Sequence, residues 1–141
     1  MINLNIADID RNITEEFSKA SDWFELYEMI IASGKAIQGL ADEDRTEENA
    51  VPGCQSNVWL KIGLKDGRMM ITADSDASIT RGILSLVLRV LDGQRPQDIL
   101  DAELRFLDDI GLRTNLSPSR SDGLNSIIHR IKESARMMIE T

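Results

Sequence analysis

The chain is poor in cysteine, histidine and proline: its 141 residues include one Cys, one His and three Pro, and aromatic residues make up 4%. A single cysteine closes no internal disulfide, and one cysteine with one histidine falls short of a tetrahedral zinc site or a four-cysteine cluster site. A Cys-His hydrolase needs a base within hydrogen-bond reach of the thiol and a third group to orient it, which this composition hardly supplies. No apolar run approaches the ~20 residues that span a bilayer. Met1 to Asp8 has neither a basic leader nor an apolar core of signal-peptide length, so the expected compartment is the cytoplasm, where thiols stay reduced. Positive charge is short as well, 16 Lys and Arg against 24 Asp and Glu, for a formal net charge of −8. That balance opposes nucleic-acid binding and attachment to anionic membranes, leaving a protein partner or a small substrate as the expected ligand. Gly53, Gly63 and Gly67 do not form a phosphate loop or a dinucleotide fingerprint.

What is present is 42% apolar and 28% charged residues, the balance of a soluble globular protein, and residues 1–141 are read as one domain. Phe17, Ala20, Phe24, Tyr27 and Ile31 follow helical spacing, with caps expected at Asn12 or Thr14 and at Ser21 or Asp22, so one broken helix or two are expected, stopping at Gly34. Asp42 to Glu48 is a charge run expected to be a solvated loop. Val58, Leu60, Ile62 and Leu64 alternate with more polar neighbours as in a strand, Asp66-Gly67 supplies a hairpin turn, and Met69 to Ala73 returns. Ala50-Val51 is expected to pair as a short third strand.

Asp74, Ser75, Asp76 or Ser78 can cap a helix carrying the stripe Ile79, Ile83, Leu86, Val87 and Val90, ended by Gly93. Arg95-Pro96 opens a short helix around Ile99, and Leu104, Leu107 and Leu112 mark a weakly periodic segment. Ser117-Pro118 has the form of a cap followed by proline at the first helical position, ahead of Leu124, Ile127, Ile128, Ile131 and Met138. Helices around a small three-stranded antiparallel sheet make an α+β domain.

The chemistry rests on Cys54. A single cytosolic cysteine is commonly an inert small hydrophobe, but this one follows Pro52-Gly53, a turn signal, and precedes the polar Gln55-Ser56-Asn57, which does not resemble a core segment. The expected setting is an accessible turn. An ordinary thiol, with a pKa near ~8.5, is only a few per cent thiolate at neutral pH. Nothing local lowers that value, and the acidic run would raise it if close. His129 falls off the apolar stripe of the last helix and is read as a surface residue; Trp23 and Trp59 are read as partly buried. Asp74 and Asp76 are read as helix caps in preference to an acid-base pair. An accessible thiol without a base suits exchange with a partner better than hydrolysis.

Several segments together resemble the SufE family of sulfur acceptors: Val51 to Trp59 its cysteine loop, Asp74 to Ala77 with Gly82 its strand-to-helix junction, and Leu116 to Leu124 its last-helix entry. Leu40 to Arg45 and Arg95 to Ile99 add weaker agreement. The resemblance implies a SufE/IscU-like fold, and Cys54 as the residue that takes persulfide sulfur from a SufS-like cysteine desulfurase, stimulates that enzyme, and passes the sulfur on for iron-sulfur cluster assembly, possible recipients including a SufBCD-type scaffold. It implies no bound cofactor, since pyridoxal phosphate belongs to the desulfurase, and a monomer or weak homodimer. Gly53, Gln55 and Ser56 would shape the loop, while Asp74, Asp76 and Arg120 would lie near it as orienting or docking residues. The alternatives are a stand-alone thiol-dependent transferase or hydrolase, and a non-catalytic desulfurase-binding module with a structural cysteine.

Overall fold

In the computed structural model, which describes residues 5–54 and 56–140, helices flank one antiparallel hairpin in an α+β arrangement. Helix α1 (Ile6–Phe17) begins where the Asn5 side chain accepts the Asp8 N–H, and α2 (Trp23–Gly34) where Asp22 accepts that of Glu25. There are thus two helices, with Asn12 and Thr14 inside the first instead of capping it. Helix α2 buries Leu26, Ile30 and Gly34, while Phe24 remains 71% exposed. Its inward face is rotated from the expected stripe because its neighbour α3 (Ser78–Leu91) comes close enough to need a bare backbone. A Cβ on Gly82 of α3 would stand 2.1 Å from the Ile30 carbonyl oxygen.

Strands β1 (Val58–Lys65) and β2 (Arg68–Ser75) pair from Val58↔Ser75 to Lys65↔Arg68. Asp66 and Gly67, both with positive φ (53° and 78°), make the tight turn whose twist suits a hairpin. Val58, Leu60, Met69, Ile71 and Ala73 face the core. Among the described residues the sheet has two strands, not three. Ala50 forms only an isolated bridge with Trp59, supported by Val51 N–H to the Val58 carbonyl (2.9 Å) and Leu60 N–H to that of Asn49 (2.8 Å). The ladder cannot lengthen: the Ala50 N–H already turns back to Thr46 O (3.0 Å), and Pro52 has no N–H to offer.

On α3 the expected stripe is buried throughout, Ile79 and Ile83 at 3% and 5% exposure and Leu86, Val87 and Val90 at 0%. Each such side chain contributes about 1.5–3 kcal/mol relative to an exposed one. The expected side-chain cap is absent. The N-cap is Ala77, because β2 runs on through Asp74 and Ser75, so these are strand residues. The helix ends at Asp92, whose carboxylate accepts the Ile71 N–H (2.8 Å) and ties α3 to the sheet. Short helices α4 (Pro96–Asp101), α5 (Phe106–Asp109) and α6 (Leu112–Asn115) lead to α7 (Pro118–Glu140). The buried Asp10 of α1 accepts the Arg105 and Phe106 N–H groups at the start of α5 (2.7 and 2.6 Å). Lys132 of α7 donates to the Leu100 and Ala102 carbonyls around the end of α4. The Ser117 hydroxyl accepts the Arg120 N–H (3.3 Å) ahead of Pro118, and α7 then buries Leu124, Ile127, Ile131 and Ala135. No described helix is long and apolar enough to cross a membrane.

Candidate functional site

Residues 51–54 leave the Ala50 bridge and turn against α7. Arg130 of α7 fixes the start of this stretch by donating to the Ala50 and Glu48 carbonyls (3.1 and 2.6 Å). Gly53 has φ +85°, a conformation that favours glycine, and a Cβ there would also meet the Ser126 hydroxyl of α7 at 3.1 Å. Cys54 follows, half-buried. Its thiol donates to the Gly123 carbonyl of α7 across 3.6 Å, and the missing side chain of Gly123 makes room for it.

The thiol therefore does not sit free at a tip, as the turn signal suggested. Burial pushes the Cys54 pKa above its ordinary value, and a carbonyl acceptor favours the protonated form in the same direction. The acidic run is not the cause. Asp42 pairs with Arg45 and Asp44 with Lys61 in a mostly exposed segment holding one 3-10 turn, Asp42–Asp44. Among the described residues no base, cation or helix N-terminus is bonded to Cys54 Sγ, and His129 is exposed on α7. Half-buried and with its pKa raised, such a thiol holds a smaller thiolate fraction at neutral pH than a free one.

The other predicted residues separate into two groups. Asp76 is a loop clamp: its carboxylate accepts the backbone and side-chain N–H groups of Asn57 (3.1 and 2.8 Å), while the Ser75 hydroxyl donates to the Asn57 carbonyl (2.7 Å). Ser56 shares a hydroxyl contact of 3.2 Å with Thr80 of α3. These contacts fix the residues that follow the cysteine to the end of β2 and to α3. Gln55 lies outside the described residues.

Asp74 and Arg120 make no bond to Cys54. The Asp74 side chain is 1% exposed; its carboxylate pairs with Arg45 (2.6 Å) and with Arg81, and accepts the Leu40 and Ser75 N–H groups (3.2 and 2.8 Å). Burial would raise its pKa, but the Arg45 bond, the two N–H donors and the Arg81 charge outweigh that and hold the carboxyl below its ordinary value. Arg45 also lies over the Trp59 ring, 5.5 Å from its centroid, and Trp59 is the cross-strand partner of Asp74. This network fixes the segment before the cysteine loop to the sheet. Arg120 is exposed in the first turn of α7, with no ion pair to any described residue.

Gly123, Ser126, Asn57, Thr80 and Arg81 were not singled out from the sequence. For Gly123 a signal existed, a helix-disfavoured residue inside the amphipathic run that begins at Pro118.

The sequence profile of the SufE family, described as an Fe-S metabolism associated domain, matches residues 11–135. An uncharacterized SufE-like protein of Rhizobium etli is 40% identical over 140 residues, covering 95% of this chain and 93% of the relative. The solution structure of a hypothetical protein from Thermus thermophilus superposes with a TM-score of 0.76 over 94% of this chain and 97% of that one. At 17% identity that likeness shows the α+β fold alone.

Proposed function

The chain belongs to the SufE family, which carries a role in Fe-S metabolism, and from that premise we propose that Cys54 accepts sulfane sulfur from the persulfide of a SufS-type cysteine desulfurase and hands it on for iron-sulfur cluster assembly. In the transfer the Cys54 thiolate attacks the terminal sulfur of the donor persulfide. A new S–S bond forms on Cys54, the donor S–S bond breaks, and the donor cysteine leaves as a thiolate. The Cys54 proton passes to a base on the donor side, and no external oxidant or reductant is needed.

The observation that carries this reading is the thiol's environment. Cys54 is near the surface on a turn, yet it is sheltered against Gly123, its pKa is raised by burial, and no base among the described residues is bonded to it. A self-sufficient hydrolase or transferase requires the reverse, a thiol activated by its own chain. A carrier benefits from a resting thiol that small electrophiles find unreactive and that a docked donor completes. Asp76, Asn57, Ser56 and Thr80 hold the loop in register; Arg120, exposed and without an ion pair among the described residues, is available for docking.

Intact-mass measurement tests this. Wild-type protein incubated with free cysteine and the desulfurase should gain the mass of one sulfur atom, removable by a reducing thiol, and Cys54→Ser should gain none. An unmodified wild type would end the carrier reading. Turnover of a thioester or disulfide without desulfurase would favour an enzyme, and desulfurase stimulation by Cys54→Ser at the wild-type level a binding module.

A further inference from the structure

Resting on the sulfur-acceptor reading, the geometry points to Gly123 as a positioning residue: the side chain it lacks is the space in which Cys54 rests, so residue size at 123 sets how often the thiol is presented to its donor. A Cβ on Gly123 would lie 3.4 Å from Cys54 Cα, 3.5 Å from its Sγ and 3.6 Å from its Cβ. These are ordinary van der Waals separations, so alanine fits with the cysteine in place. Three Cys54 atoms stand at contact distance from that point, so carbons added beyond Cβ, as in leucine, compete with the cysteine for the same space. The thiol-to-carbonyl contact at 3.6 Å is weak, and the rest of what holds the cysteine is its partial packing against the core, which the larger side chain would have to displace. The anchors on either side, Arg130 to Ala50 and Asp76 to Asn57, do not involve position 123 and remain when Cys54 leaves.

If sulfur uptake needs Cys54 out of its notch, the donor's apparent affinity is reduced by the fraction of molecules in which the thiol is out. Enlarging residue 123 raises that fraction. The acceptor concentration that half-saturates the desulfurase then falls by the same factor by which the free thiol becomes more reactive, and the maximal rate stays unchanged.

The experiment compares wild type with Gly123→Ala and Gly123→Leu. Alanine and leucine are both better helix formers than glycine, so a role confined to helix α7 would treat them alike. Iodoacetamide alkylation of the free protein, without desulfurase, should run within about twofold of wild type for alanine and about tenfold faster for leucine, since the rate follows the exposed population. With the desulfurase, the leucine variant should show the matching drop in half-saturating concentration. Should leucine impair folding, as judged by circular dichroism, Gly123→Met, an unbranched side chain of similar helix propensity, carries the same contrast. Equal alkylation of the alanine variant and the larger one overturns the assignment, as does faster alkylation with no change in half-saturation. Failure of the carrier reading looks different: no variant, nor wild type, takes up sulfur, and the alkylation contrast still decides whether Gly123 shelters the thiol.

Discussion

Replacing Asp74 by alanine tests the account of the buried charge network. The carboxylate is 1% exposed and joins Arg45, Arg81 and two backbone N–H groups, so its removal takes the acceptor from two amides and one partner from each of two guanidinium groups, which keep Asp42 and the Ile37 carbonyl respectively. Removing one partner of a buried ion pair costs ~3–5 kcal/mol when the remaining charge stays buried. Here the Arg45 and Arg81 side chains keep 38% and 29% exposure and can rehydrate, which argues for the lower end. We expect a loss of about 3 kcal/mol for Asp74→Ala and about 2 for Asp74→Asn, which keeps the shape and one acceptor oxygen. For a chain of this size that is a melting point lower by roughly 10 °C for alanine. The pH dependence gives a second check. The folded-state pKa is below the unfolded value, so the stabilisation is fully present above the unfolded pKa of ~3.9 and is lost as pH falls through the folded one. The gap between wild type and Asp74→Asn in urea denaturation should therefore be constant near neutrality and narrow in acid below about pH 4. An alanine variant that melts within about 2 °C of wild type, or an asparagine gap that does not narrow in acid, would show that Asp74 does not hold this network together.

Gly82→Ala should destabilise by about 2 kcal/mol despite the ~1 kcal/mol that alanine gains in helix propensity, because its Cβ meets the Ile30 carbonyl oxygen at 2.1 Å and backbone cannot rotate aside. Urea melts beside Gly63→Ala, where nothing lies within 4 Å, separate the contact from a general effect of removing glycine; equal midpoints would contradict the close crossing of α2 and α3. Arg120→Ala should leave the melting point and Cys54 alkylation unchanged while raising the half-saturating acceptor concentration in the desulfurase assay about fivefold, as expected for a charge at a docking rim. An unaltered half-saturation would remove Arg120 from the interface.

The elements that could be read from the sequence are those whose signals are local. Asp66-Gly67 sets its own turn, Ser117-Pro118 starts its own helix, and the α3 stripe repeats at helical spacing whatever lies opposite. Legibility failed where the deciding partner is distant along the chain. The inward face of α2 depends on Gly82 of another helix, and Asp74 looked like a cap until Leu40, Arg45 and Arg81 converged on it, the first two from 34 and 29 residues away. The cysteine is the clearest case. Its composition and turn signal indicated an accessible thiol, and the shelter that changes its chemistry comes from Gly123, 69 residues on. A glycine costs a helix about 1 kcal/mol, so one inside an otherwise amphipathic run implies that another part of the chain needs the space. Periodicity can flag that position, but only the fold shows that the space is used by Cys54.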